Sequence, residues 1–395
     1  MSRSCCFLFP LVCSIALPAQ TTHLVGPGGF AQIREALAVA APGDRIHVLP
    51  GTYAHFAVQA GVTIRALLPG TVDVAYDIAW WTPGCTANCI GTVEGPTTFA
   101  VPPGQTAHVI GLRFVANDVA YPHPFWHTIR HRVVVAAGRV HFDECELRSS
   151  TTALRAGPGC EVHLRHCTVE AVGPMAAHGI QLASASLTLV GGTVHAARVG
   201  AALYSGAGID GSASTIHASG ATIRGGLSLS PAGSGPGIDA IGGALWLHGC
   251  VVEGSCAVGS TTPWQHDDCT LVNLDPFCAA TAPSSLLGVQ QAAAPVAGAP
   301  FQLDWHTDPN GFVAVFASPA LARVPVPELV VQPVWLDPLP MFFATIVLAD
   351  AAGVAVTTFA LPPGAAFVDT ELWLTGVSGF AFPLQASPPV GGILR

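Results

Sequence analysis

Histidine and threonine return at one recurring position of this chain: His47, Thr63, His108, His141, His163, Thr188 and His217, followed by Trp246. Each stands between two small or apolar residues, as in Val140-His141-Phe142 and Val162-His163-Leu164. In an extended segment it therefore points away from the face its neighbours bury. Neutral imidazoles on strands ~4.8 Å apart can share a transition metal, and His108, His141 and His163 are the set this reading selects. Without a placed carboxylate they do not form a catalytic zinc motif. An exposed strand face that tolerates His and Thr would show the same column, and weak contact with sugars is a further use for it.

A second recurring position holds Arg155, Gln181, Asp210 and Asp239. Asp210 and Asp239 stand in identical contexts, Gly208-Ile209-Asp210 and Gly237-Ile238-Asp239. Two carboxylates on neighbouring strands repel unless they bind a cation or share a proton. Calcium binding or general acid–base chemistry follows from such a pair, with Arg155 available to hold an acidic sugar. The plainer alternative is that Asp is favoured beside turn glycines. Glu144 and Glu146, flanking Cys145, are lesser candidates.

These residues need a scaffold that brings remote positions together, and the stretch 139–253 supplies one. Five copies of one pattern begin at Val140, Val162, Leu187, Ile216 and Leu245, spaced 22, 25, 29 and 29 residues apart. Each copy reads apolar, any, apolar, two residues, small or Cys, any, apolar. A third apolar element precedes the copies at Val133, Leu154, Ile180, Ile209 and Ile238. Three strands per turn with no helical period describe a triangular parallel β-helix, whose coils must stack because none can bury its own apolar face. Cys145, Cys167, Gly192, Ala221 and Cys250 then form an inward ladder of small residues. Adjacent rungs permit a Cys145–Cys167 bridge, but buried free thiols acting as small hydrophobes are the favoured reading.

Composition agrees. Apolar residues make up 50% of the 395 and charged residues 10%, while 43 Gly and 33 Pro interrupt the chain too often for long helices. The 15 basic residues are all Arg, which removes chemistry that needs a lysine base or Schiff base, and the net charge of −9 argues against nucleic acid as a partner. Residues 1–19, with Arg3 and the apolar run Cys6 to Leu17, read as a secretory signal peptide cleaved near Ala19. No later stretch is long and apolar enough for a transmembrane segment, so a secreted protein, extracellular or at the cell surface, is expected. Nine of the 12 cysteines lie beyond residue 19; Cys85 with Cys89 and Cys269 with Cys278 are the local pairs that could bridge in exported loops.

Towards the N-terminus, Gly29 to Leu37 reads as a short amphipathic helix able to cap the open first coil. Ile33, Ala36 and Ala40, then Pro42-Gly43-Asp44, Ile46, Val48, Pro50-Gly51 and Tyr53, resemble the opening of secreted right-handed β-helix proteins of the pectin-lyase-like superfamily. The resemblance runs over roughly residues 22 to 280. It implies a right-handed parallel β-helix, and it is far less specific for activity. In the pectin methylesterases of that superfamily a pair of Asp with Gln and Arg does the work. The same residue types recur here outside that family's motif, so no role is carried over.

Two insertions break the repeat. One carries Trp80 and Trp81, the other Tyr121, Phe125, Trp126, Arg130 and Arg132. With Gln181 they are the expected substrate-binding residues, because aromatic faces suit the C–H faces of sugars and Arg suits carboxylates. The competing use of the tryptophans is to pack the loops back onto the solenoid. After Glu253 the pattern decays, 281–299 reads as an Ala/Pro linker, and 300–395 shows alternating segments between Pro and Gly turns, a small β-sandwich. The expected molecule is thus all-β: signal peptide 1–19, right-handed β-helix with a capping helix 20–280, linker, and C-terminal sandwich 300–395. Its expected function is carbohydrate binding. A polysaccharide lyase, esterase or epimerase acting on uronic-acid glycans is the alternative, and a structural surface protein the second. The sequence does not set the cofactor, for which calcium and a His-bound transition metal are the candidates, nor does it set the oligomeric state.

Overall fold

The computed structural model describes residues 20–75, 96–115, 131–149, 151–172, 177–196, 206–226, 235–258, 264–267, 270–272, 287–291, 294–324, 326, 329–330, 334–364, 367–368, 370–379 and 384–394. The expected leader and most of both insertions lie outside these residues. Within them the chain is a right-handed parallel β-helix followed by an antiparallel sandwich.

Each pattern copy becomes two strands joined by a bend, as in Arg139–Asp143 with Glu146–Ser149 and Glu161–Arg165 with Thr168–Ala171. The residue at the bend is left-handed in coil after coil: Gly111, Glu144, His166, Gly191, Gly220 and Gly249 have φ of 70°, 51°, 49°, 63°, 61° and 56°. The chain turns there so sharply that the next residue points into the lumen, where Cys145, Cys167, Gly192, Ala221 and Cys250 are small and Leu112 is the larger exception. Glu144 is such a bend residue. The third strands, such as Thr152–Ala156 and Ile180–Ala183, stack on one another in the same way. In the coils at Ile209–Ser219 and Pro236–His248 the third strand runs on into the next copy as one long bent strand. This fuses two of the three faces into a single 16-stranded sheet, opposite a 9-stranded one.

The lumen is filled by the predicted ladders. Val140, Val162, Leu187, Ile216 and Leu245 are buried in one core with Cys145, Cys167, Ala221 and Cys250, and Phe56, Phe99, Phe114 and Phe142 pack edge to face within it. Cys145, Cys160, Cys167 and Cys250 are free thiols. Cys167 donates to the Phe142 carbonyl at 3.3 Å, and burial pushes its pKa well up. The capping helix is only Ile33–Leu37, shorter than the expected 29–37, since Phe30 instead bridges back to Val25. It is pinned where Glu35 accepts from the Gln32 amide at 3.3 Å and where the Gln32 side chain accepts from Ala54 N at 2.9 Å. Ile33 and Ala36 close the first coil.

The C-terminal module pairs Gly288–Gln291, Pro300–His306 and Val354–Ala360 in one sheet and Phe312–Ser318, Phe342–Leu348, Glu371–Ser378, Gln385–Ala386 and Val390–Ile393 in the other. Trp305 is buried between them and its indole N–H donates to Thr357 at 2.8 Å. The expected linker is therefore not all linker. Gly288–Gln291 is a strand of the sandwich, and Leu287 and Val289 join its core together with Val190 of the β-helix. The two units share apolar packing.

Two outcomes follow. Leu187→Ala, which empties a lumen site between neighbouring coils, should cost about 2–5 kcal/mol in denaturant unfolding. Mass-mapped thiol labelling should leave Cys145, Cys160, Cys167 and Cys250 unmodified in the native protein and modify all four once it unfolds; rapid native labelling would contradict the lumen register.

Candidate functional site

Both predicted outward columns exist, and they meet different fates. Thr63, His108, His141, His163, Thr188, His217 and Trp246 stand side by side on consecutive strands. The His108 and His141 ring centroids are 4.7 Å apart and those of His141 and His163 4.5 Å. His47 is two residues out of this column: Arg45 lies opposite Thr63, and His47 opposite Arg65.

This face is not exposed, contrary to expectation. His108, His141, His163, Thr188 and His217 are all buried because the C-terminal module lies across them. Trp373 meets His141 edge-on at 5.0 Å. Glu371 accepts from the Trp373 indole at 2.8 Å and lies 2.9 Å from His108 Nε2. Burial alone would raise the Glu371 pKa, yet His108 and the Trp373 N–H hold it below the usual value. Two residues along each strand, Arg165 is paired with Asp143 and also donates to the carbonyl of Gly391. A Cβ on Gly392 would come within 2.5 Å of the Arg165 guanidinium, so the bare glycine backbone is what lets the strand Val390–Ile393 settle there. Ser219 donates to Val289 O at 2.9 Å, and His248 stacks with His306 at 5.3 Å.

Sequence reading could not find this cover, because nothing local pairs Trp373 with His141 across more than two hundred residues. A cavity of roughly 30 Å³ remains beside His141, His163, Thr188 and Trp373, room for about one or two waters. Both ring nitrogens of His141 lack a hydrogen-bond partner among the described residues. The described residues contain no cluster of three or more His, Cys, Asp or Glu suited to a metal, so the transition-metal reading has no ligand set there.

The second column remains open. Arg155, Gln181, Asp210 and Asp239 are register partners on successive third strands; Arg155 is exposed and the other three are partly so. Gln181 Nε2 donates to Asp210 Oδ2 at 3.1 Å. His178, which the pattern did not single out, adds to this. Its Nδ1 accepts from the Ala207 amide at 3.0 Å, which leaves the proton on Nε2, 3.6 Å from the same Asp210 oxygen. The two carboxyls are thus unlike. Asp210 has two donors beside it, whereas burial and then the Asp210 charge raise the Asp239 pKa, with His178 opposing.

The identical Gly-Ile-Asp contexts have a packing cause. A Cβ on Gly179 would meet Gly208 O at 2.7 Å, and one on Gly208 would meet Gly237 O at 2.6 Å. The glycines are required by stacking, and the aspartates are not. His178 could have been recognised as the polar residue just before this glycine column. Two carboxylates and one amide fall short of the six to eight oxygens calcium takes, so the column carries no calcium site by itself. Trp80, Trp81, Tyr121, Phe125, Trp126 and Arg130 lie outside the described residues, as do Cys85, Cys89, Cys269 and Cys278. For Arg132 only the backbone, in the strand His131–Ala137, is described.

No protein-family model matches the chain, and no curated protein matches it. Among solved structures it is similar to the enzymatically active domain of bacteriophage CBA120 tailspike protein 2, at 9% identity and a TM-score of 0.29, over 91% of this chain and 68% of that one. It is also similar to full-length tailspike protein 2 from an Escherichia coli O157:H7 bacteriophage, at 8% identity and a TM-score of 0.26, over 91% of this chain and 61% of that one. Likenesses this faint bear on neither substrate nor activity.

The buried histidines set a pH dependence. Burial first, then nearby Arg139 for His163 and His248 for His217, lowers both pKa values to about 3; burial and the neighbouring His163 take His141 well below its usual value. Exposed imidazoles titrate near 6.5. Between about pH 3 and 6.5 the undocked or unfolded state therefore binds protons that the docked state does not, and stability rises with pH across that window. Docking should be intact above about pH 6.5 and weaken on acidification, by about 1.4 kcal/mol per pH unit for each such histidine. Limited proteolysis and thermal melting at pH 7 and pH 4.5 check this, and a flat profile would contradict the burial. Trp373→Ala should loosen the module already at pH 7.

Proposed function

We propose that the protein binds carbohydrate outside the cell, along the open face that carries Arg155, Gln181, Asp210 and Asp239. The observation that supports this most is the column itself: a cation, an amide and two carboxyls at ~4.8 Å steps, each at least partly exposed among the described residues while the neighbouring column is sealed. An extended glycan lying along the solenoid axis would meet hydroxyl-binding carboxylates and amide at one end and Arg155, suited to a uronate carboxylate, at the other. The expected export of the chain fits such a ligand.

One observation favours the second reading, a lyase, esterase or epimerase. Each of these reactions needs one group that accepts a proton and another that gives one. Asp210, supported by Gln181 and His178, suits the acceptor, and Asp239, with its raised pKa, suits the donor.

A glycan array and a uronide-depolymerisation screen, with and without calcium, test both. Binding to an acidic glycan should weaken at least tenfold in Arg155→Ala and in Asp210→Asn. If turnover accompanies binding, Asp239→Asn should abolish turnover and spare most of the affinity. Absence of glycan binding, or binding indifferent to Arg155 and Asp210, would overturn the proposal.

A further inference from the structure

One side of the C-terminal sandwich is open in a way no other part of the described chain is. Phe342–Leu348 is the terminal strand of one sheet and Val354–Ala360 the terminal strand of the other, so two strand edges lie next to each other without a further partner among the described residues. Among the described residues ten large apolar side chains are at least half exposed, and six of them fall here: Leu339 at 94%, Phe342 at 55%, Phe343 at 54%, Ile346 at 58%, Leu348 at 75% and Val356 at 54%. From Pro338 to Val368 the only charged residue is Asp350. Natural edge strands are usually blunted by lysine, by inward charges, by proline or by a bulge. Here the strand Phe342–Leu348 contains no proline and no charge. A register shift leaves Ala344 unpaired opposite Val315 and Phe316, and this bulge is the one such device it has.

We propose that this side is the interface for a second copy of the same chain, with Phe342–Leu348 pairing antiparallel to its own counterpart about a twofold axis. A free edge offers alternating N–H and C=O groups, and an antiparallel copy presents the same groups in the complementary order. A charged or polar partner would find one carboxylate to address, whereas an identical apolar edge matches it residue for residue. The area suffices. Two half-exposed phenylalanines, each able to bury roughly 150–250 Å², contribute about 200 Å² per copy. With Leu339, Ile346, Leu348 and Val356 the contact reaches on the order of 1,000 Å² over both copies, the lower bound for a specific interface. The proposal is independent of the carbohydrate column, which lies on the β-helix.

Light scattering of the full chain after size exclusion, over roughly 1–100 μM, tests it. The expected result is a concentration-dependent mass that rises to twice that of the chain. Ile346→Lys, at an exposed site, should weaken self-association at least tenfold and keep the native circular dichroism. Should that variant misfold, Leu348→Lys replaces it. Hydrogen exchange should show the outward-pointing amides among Thr345–Leu348, those not bonded to Phe312–Ser318, protected in the dimer and unprotected in the variant. A monomer at every concentration, dimers unaffected by both lysines, or association with neutral lipid vesicles in place of self-association would each overturn the proposal.

Discussion

Parallel stacking in register is the constraint from which the rest of this molecule descends. A coil of 22 to 29 residues cannot bury its own apolar face, so it is stable only when the coil above repeats its pattern. The strands then lie ~4.8 Å apart, and every outward position becomes a column of side chains drawn from distant parts of the sequence. The left-handed bend at Gly111, Glu144, His166, Gly191, Gly220 and Gly249 keeps that register. The small residue after five of these six bends, with Leu112 the exception, follows from it. The same stacking makes glycine obligatory at 179, 208 and 237.

From one sheet the chain makes two surfaces with opposite roles. Over the histidine column it lays a second domain, and the contact is built from groups that need each other: Trp373 over His141, Glu371 beside His108, Arg165 between Asp143 and the glycine backbone of the last strand. Burial holds the pKa values of His141, His163 and His217 low, so the interface is tight only while those three imidazoles stay neutral. Beside it the column of Arg155, Gln181, Asp210 and Asp239 stays open, and the Ala207–His178–Asp210 chain of contacts makes its two carboxyls inequivalent.

The solenoid was legible in the sequence because its signal is local and repeated. Val140, Val162, Leu187, Ile216 and Leu245 announce strands, and their spacing announces coils. The column membership of His141 with His163, and of Asp210 with Asp239, followed from counting alone. His47 was misplaced because the step from Arg45 to Thr63 is shorter than the later coils and sets the register there. What could not be read was anything set by the docking of the sandwich. The burial of the histidines depends on Trp373 and Glu371, residues that look like ordinary members of an alternating strand. The strand at Gly288–Gln291 was hidden in a stretch without charge or strong β pattern, and its place is fixed by Trp305 and the sandwich core. His178 was missed because its importance lies in one backbone amide from the next coil.

The central claim is that one outward column is sealed and the other is open, and footprinting of histidines in the native protein tests it directly. Brief diethylpyrocarbonate treatment at pH 7 followed by mass mapping should modify His178 and leave His108, His141, His163 and His217 untouched. Modification of His141 and His163 at the rate of His178 would contradict the account, because it would mean that the C-terminal sandwich does not lie on the β-helix.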